Sequence, residues 1–326
     1  MGDGGKQAAR DQPFALDLGG RAVWTGAAIY VFASLVYLSG LAFEALVANR
    51  IPLSESAFMS WVPAVASNPE QLSLGLEWRA SVLLLIGTAF GALLVSCGVL
   101  VRSLRERTGP TLVLGVLVAL VAVATAAIRS GVESTSVLIS LCDQLEADSP
   151  LFGERGVSDL VLKPKLYGEL LAGLVGLAMA SILLLPARLT SESLATRVRH
   201  LRMVLYSSAA MLVFGVLMTR AAYAWSASYF MPAAGQAELV DAGTILAGSF
   251  YTMMLGAIYL PCAVALSRNA QRLAKRAVET GQGKSEHGWL EENDLQVSWK
   301  GNSVRILAVV SPMLTAFLPG IGGLLG

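Results

Sequence analysis

The charged side chains that could do chemistry in this chain stand at the edges of long apolar runs. Glu44 closes the first run, Glu77 and Arg79 open the second, and Arg129 and Glu133 follow the third. Glu169 opens the fourth, Arg220 lies near the end of the fifth, and Asp241 opens the sixth. An ionisable group at membrane depth is costly, so each of these needs a partner, water or a route to the interface, and each is a functional hypothesis by default. Carboxylates and arginines collected at one membrane face are the lining expected of a polar vestibule for an ion or a polar solute. The same residues, being close to span ends, also suit snorkelling to headgroups or pairing that fixes the order of helices. Glu44 and Arg220 have further apolar or aromatic residues beyond them, which places them deepest and makes them the expected charged pair.

Other chemistries are poorly supplied. The chain holds two histidines, His200 and His287, so a histidine-rich metal site is excluded and a histidine-based triad would have to use one of these. Cys97, Cys142 and Cys262 are far apart, form no CxxC and read as packing residues. Gly283, Lys284 and Ser285 have the form of the end of a phosphate-binding loop, but Val278 stands where its first glycine must be and no strand precedes it. HExxH, GxSxG and CxxCH are all missing. No cofactor or metal is expected, and enzymatic activity is not the favoured expectation. A net charge of +1 gives nucleic acid nothing to be attracted by, so the expected partner is the lipid bilayer itself, with a homo-oligomer or a membrane subunit beside it.

The elements that must position these charges follow from the apolar runs. Hydrophobic residues make up 55% of the 326 positions and charged ones 14%, and the hydrophobic residues gather in segments near the length of a bilayer crossing. The runs are Ala22 to Val47, Ala80 to Val101, Thr111 to Ile128, Leu170 to Ala187, Met203 to Tyr223 and Ala242 to Ser267. The fold class is therefore an all-α, polytopic transmembrane bundle of six spans, with short interfacial helices in the outer loops and an apolar C-terminal tail. Residues 1–21 form a cytoplasmic strip, 22–267 the membrane domain, 268–302 a cytoplasmic basic helix and polar hinge, and 303–326 the membrane-associated tail. With the amino terminus inside, 17 Lys and Arg fall on the cytoplasmic side against 7 outside, which sets both termini in the cytoplasm. Tyr223, Trp225, Tyr229 and Phe230 cluster where the fifth span leaves the outer leaflet, a depth that amphipathic rings favour. Arginine outnumbers lysine 18 to 6, a codon signature that fits a bacterial inner membrane.

Smaller features refine this picture. In the outer loops Phe58, Trp61, Val62 and Val65, and again Val137, Leu138, Leu141 and Leu145, follow helical spacing and suit helices lying flat on the membrane or capping the bundle. Beyond Pro261, Arg268, Arg272, Lys275 and Arg276 share one helical face, as contacts to anionic headgroups or as a plain positive-inside anchor would require. Ile306 to Gly326 is uncharged for 21 residues, but Pro312 and Pro319 predict a helix ending near Leu318. A tail that re-enters or docks at the inner ends is the expectation, and a seventh span the alternative. Gly87 with Gly91, and Ala172, Gly176 and Ala180, mark close helix contacts, within the bundle or between copies. The hairpins from Glu77 to Arg129 and from Glu169 to Arg220 have similar charge placement, as a degenerate repeat of helix pairs would give.

The leading functional expectation is a transport or conductance protein for a solute or ion. A non-enzymatic accessory or membrane-perturbing effector that oligomerises or binds a partner is the second reading, and an enzyme acting on lipid the third. The span centres carry Ser, Thr and Gly rather than charge, which argues against a proton-coupled carrier built on a buried carboxylate.

Overall fold

A computed structural model of the chain describes residues 28, 31, 34–35, 69–106, 109–110, 112–118, 121, 173–184, 190–228, 233–281, 285–293, 295 and 303–325. Among the described residues every regular element is helical. Among the described residues the helices are α1 (Pro69–Glu106), α2 (Gly173–Ile182), α3 (Ser191–Ala227), α4 (Ala233–Glu279) and, after a short α5 (Glu286–Glu292), α6 (Ser303–Leu325). Helical residues at 28, 31, 34 and 35, and at 112–118, fall within the first and third apolar runs. The predicted interfacial helices of the outer loops lie outside the described residues.

Three helices, α1, α3 and α4, are long and apolar enough to cross a membrane. Their apolar windows differ in a telling way. That of α1 has the highest mean hydropathy, 2.3, yet is only 22% buried, whereas that of α3 has 1.8 and is 56% buried. In water an apolar helix would hide its side chains, but Leu83, Leu84, Ile86, Phe90 and Leu94 of α1 all point outward. A surface of this kind marks contact with lipid or with another apolar partner. Inside, α3 packs against α1, α4 and α6, so it is the central helix of the described bundle.

Since lipid chains are as apolar as leucine, helix association depends on close packing and polar contacts rather than on escape from water. Close approaches occur where glycine permits them. A Cβ added to Gly248 of α4 would stand 2.8 Å from the Pro312 carbonyl and 2.7 Å from the Ala316 methyl of α6, and one on Gly215 of α3 would meet the Tyr251 ring at 3.4 Å. The second small-residue motif behaves as internal packing, with Gly176 and Ala180 buried. Gly87 and Gly91 are instead exposed, with nothing within 4 Å of an added Cβ.

The local sequence explains where the helices begin and end. Thr190 and Ser193 form a capping box at the start of α3: the Thr190 Oγ1 accepts from the Ser193 amide at 3.2 Å and the Thr190 amide donates to Ser193 Oγ at 3.1 Å. Gly281, with φ of 74°, adopts the left-handed conformation that closes α4. Helix α2 stops at Ile182, with Leu183 in a turn, short of the Ala187 that hydropathy predicts. Ser285 caps α5, whose Trp289 is buried against α4 together with Leu295, so part of the predicted hinge is docked rather than loose.

The tail corrects the sequence expectation most clearly. Helix α6 runs unbroken from Ser303 to Leu325, through both Pro312 and Pro319, instead of ending near Leu318. Pro312 has no N–H for the Ala308 carbonyl, and its ring disturbs the next amide; both freed groups find hydroxyls. Ser311 Oγ donates to the Ala308 carbonyl at 2.9 Å, and the Met313 amide donates across the interface to Thr252 Oγ1 of α4 at 3.1 Å. The register is antiparallel: Val309 faces Gly256, and Pro312 and Ala316 face Gly248. At 1.5 Å per residue the 23 residues of α6 extend about 34 Å.

Candidate functional site

Where α3 ends and α4 begins, Arg220 Nη1 lies 3.6 Å from Asp241 Oδ1, with side-chain exposures of 31% and 55%. This pair joins two of the predicted polar-route residues directly. Glu44, expected as the partner of Arg220, lies outside the described residues, as do Arg129, Glu133 and Glu169. Glu77 and Arg79 are exposed in the first turns of α1, and no ion pair joins them to Arg220. Between them Trp78 turns inward and stacks on Trp225 of α3, ring centroids 5.2 Å apart and planes within 8°. The start of α1 and the end of α3 are thus held by an aromatic stack, and the end of α3 and the start of α4 by an ion pair and a hydrogen bond from Gln236 Nε2 to the Ala224 carbonyl at 3.0 Å. A half-exposed ion pair of this length contributes about 0–1 kcal/mol.

A stronger polar centre lies at the opposite ends. Arg197 of α3 is buried, donating through Nη1 to the Ile182 carbonyl at 2.9 Å and through Nη2 to Glu106 Oε2 at 2.7 Å. Glu106 in turn accepts from Arg102 Nε at 3.1 Å. Ile182 is the last residue of α2, where helix carbonyls lose their partners, so Arg197 caps α2 while it neutralises the end of α1. Nearby, Ser103 Oγ donates to Ser181 Oγ at 3.3 Å and Cys262 Sγ reaches the Met179 carbonyl at 3.6 Å. One arginine therefore pins three helices. In the sequence these residues count only as positive charges of inner turns; the signal available was a lone Glu106 among the arginines at 102, 105 and 107.

About one turn further along α3, Arg202 and Tyr206 approach α6 and α4. Arg305, in the first turn of α6, lies within electrostatic reach of Tyr206, of Tyr259 of α4 and of Arg202. Arg305 and Tyr259 are 6% and 4% exposed, while Tyr206 is 40% exposed and opens the group sideways. Sequence reading missed this grouping, although an arginine directly before 21 uncharged residues was visible. Further along α4, the predicted headgroup contacts Arg268, Arg272 and Lys275 are exposed and Arg276 is half-buried.

Within the bundle, several hydroxyls are spent on their own helices. Ser81, Thr88, Thr219, Thr244 and Thr315 each donate to a carbonyl three or four residues earlier. Among the described residues no group of three or more His, Cys, Asp or Glu is placed to hold a metal ion. The class these features define is a helical membrane-type bundle with three candidate spans. No protein-family description, curated protein or solved structure matches the chain.

Proposed function

We propose that the chain is a multi-pass integral membrane protein that serves as a non-enzymatic partner protein, its working surface being the folded extension of α3, α4 and α5 at the cytoplasmic face. The observation that carries this reading is length. Helices α3 and α4, at 37 and 47 residues, extend about 55 and 70 Å, against about 30 Å of hydrocarbon. Their surplus is the charged end of each: Glu192, Arg197, Arg199 and Arg202 on α3, and Arg268 to Glu279 on α4. The core of the bundle continues into this end through Leu194, Val198, Leu201, Leu273, Ala274 and Trp289. A membrane anchor alone needs no such folded body. The positive-inside distribution puts this end in the cytoplasm, and α6, running back along α4 to Gly248, then supports a seventh crossing with the carboxyl end outside.

Photo-crosslinkers at the exposed positions Lys275 and Glu291 in cells test the reading. A discrete crosslinked partner at both positions is expected, and no species beyond the monomer at either would overturn it. Transport or conductance is the second reading, favoured by the half-exposed Arg220–Asp241 pair at the outer mouth of α3 and α4. Flux above the lipid-only background in proteoliposomes of the purified chain, abolished by Asp241→Asn, would establish it instead.

A further inference from the structure

The junction pinned by Arg197 also holds a histidine. His200 stands three residues beyond Arg197 on α3, one turn along the same face, and is half-buried. The charges that act on its imidazole come from two helices: Arg102 and Glu106 from α1, Arg197 and Arg199 from α3 itself. The described part of α2, the third helix at the junction, has no titratable side chain and offers the Ile182 carbonyl to Arg197. Arg202, two residues further along α3, lies toward α4 and α6. Glu106 is engaged by Arg197 Nη2 at 2.7 Å and by Arg102 Nε at 3.1 Å. A proton on His200 therefore adds a fourth cation beside one carboxylate that two guanidinium groups share, in a place partly withdrawn from water.

We propose that His200 makes this junction an acid-sensitive latch: while its imidazole is neutral the end of α1 is held to α2 and α3 through Glu106 and Arg197, and proton uptake parts α1 from α3 there. Burial disfavours the imidazolium most, Arg102, Arg197 and Arg199 add to this, and Glu106 offsets part of it, so the group takes up its proton below the ordinary histidine value of 6.5. The folded state thus binds this proton less readily than the unfolded chain. Its full stability is present above a pH of about 6.5 and is lost as the pH falls from there through the depressed value. Moving the end of α1 away from the start of α3 returns water to the imidazolium and distance from Arg102, which is how proton uptake becomes motion. On the side that the basic residues assign to this end, the latch responds to acidification of the cytoplasm. It does not depend on the partner reading above.

Two measurements on the full chain in dodecyl maltoside test the latch between about pH 8 and about pH 5, where histidine is the side chain that ordinarily titrates. The melting temperature of the intact chain should fall across this range. His200→Gln, which keeps a neutral polar side chain, should remove most of the fall and leave the value at the alkaline end close to that of the intact chain. Arg102→Gln should reduce the fall, because one of the facing cations is gone, whereas His287→Gln, at an exposed position of α5, should leave it as it is. In the second measurement spin labels on Val101→Cys of α1 and Met203→Cys of α3, both exposed positions, report the separation of the two helices in a chain whose own cysteines are replaced. The separation should widen on acidification and stay constant once His200→Gln is added; should that variant fail to fold, His200→Asn takes its place. An equal fall in the intact chain and in the His200 variant would overturn the latch, and so would a label separation that does not change with pH.

Discussion

Arg197 is buried with a carboxylate and a helix-terminal carbonyl as its partners, whereas Arg220 is half-exposed with one carboxylate at 3.6 Å. The two arginines should therefore respond very differently to removal. Hydrogen bonds to a charged group are worth about 1.5–3 kcal/mol, and Arg197→Gln should lower stability by about that amount. Glu106→Gln should lower it less, because Glu106 is 38% exposed and water replaces part of what is lost. The double change should cost less than the sum of the single changes, as expected for direct partners, and thermal melts of the four proteins measure the coupling. At the other end, Arg220→Gln and Asp241→Asn should each cost less than about 1 kcal/mol in the same assay. A loss at Arg220 as large as that at Arg197 would mean that the outer charge has a further partner.

At the scale of the element, α6 shows how a helix keeps two prolines. The Met313 amide that Pro312 disturbs is bonded by Thr252, a residue of another helix 61 positions away. Thr252→Val should therefore destabilise the protein by about 1 kcal/mol, the net worth of an ordinary hydrogen bond. In a Pro312→Ala background the same change should cost less, since a regular helix returns the amide to the Val309 carbonyl. Gly248→Leu should displace α6 altogether, because the atoms its side chain meets include the Pro312 carbonyl, which cannot turn aside as a side chain can. Protease accessibility of residues near Ser303, read alongside the melting temperature, would register that displacement; an unchanged pattern would mean that the contact at Gly248 does not hold the tail.

For the whole molecule, the decisive quantity is sidedness. Reporters fused after Arg105, Arg197 and Lys275 should be cytoplasmic, and those near Glu70, Ser149 and Gln236 external, following the division of basic residues. For the carboxyl end, Gly326→Cys in a chain whose own cysteines are replaced should react with an impermeant reagent added to intact cells. Reaction only after the membrane is opened would return the tail to the cytoplasmic side, and would mean that α6 accompanies α4 without completing a crossing.

The helical membrane class and the apolar runs that form α1, α3 and α4 were legible in the sequence, because partition into a bilayer adds up over neighbouring residues and needs no knowledge of contacts. The prolines of the tail were legible too, but their effect was not, since whether a proline ends a helix depends on who satisfies the groups it frees. Ser311 was close at hand; Thr252 was not. The same limit applies to the charges. Sequence depth made Arg220 a candidate for a charged pair but did not name Asp241, which the packing of α3 on α4 brings to it, and the packing of α6 on α3 and α4 draws Arg202, Tyr206, Tyr259 and Arg305 from three separate segments. Burial, partner choice and convergence are properties of helices in contact, and only the tertiary structure decides which helices touch and in what register.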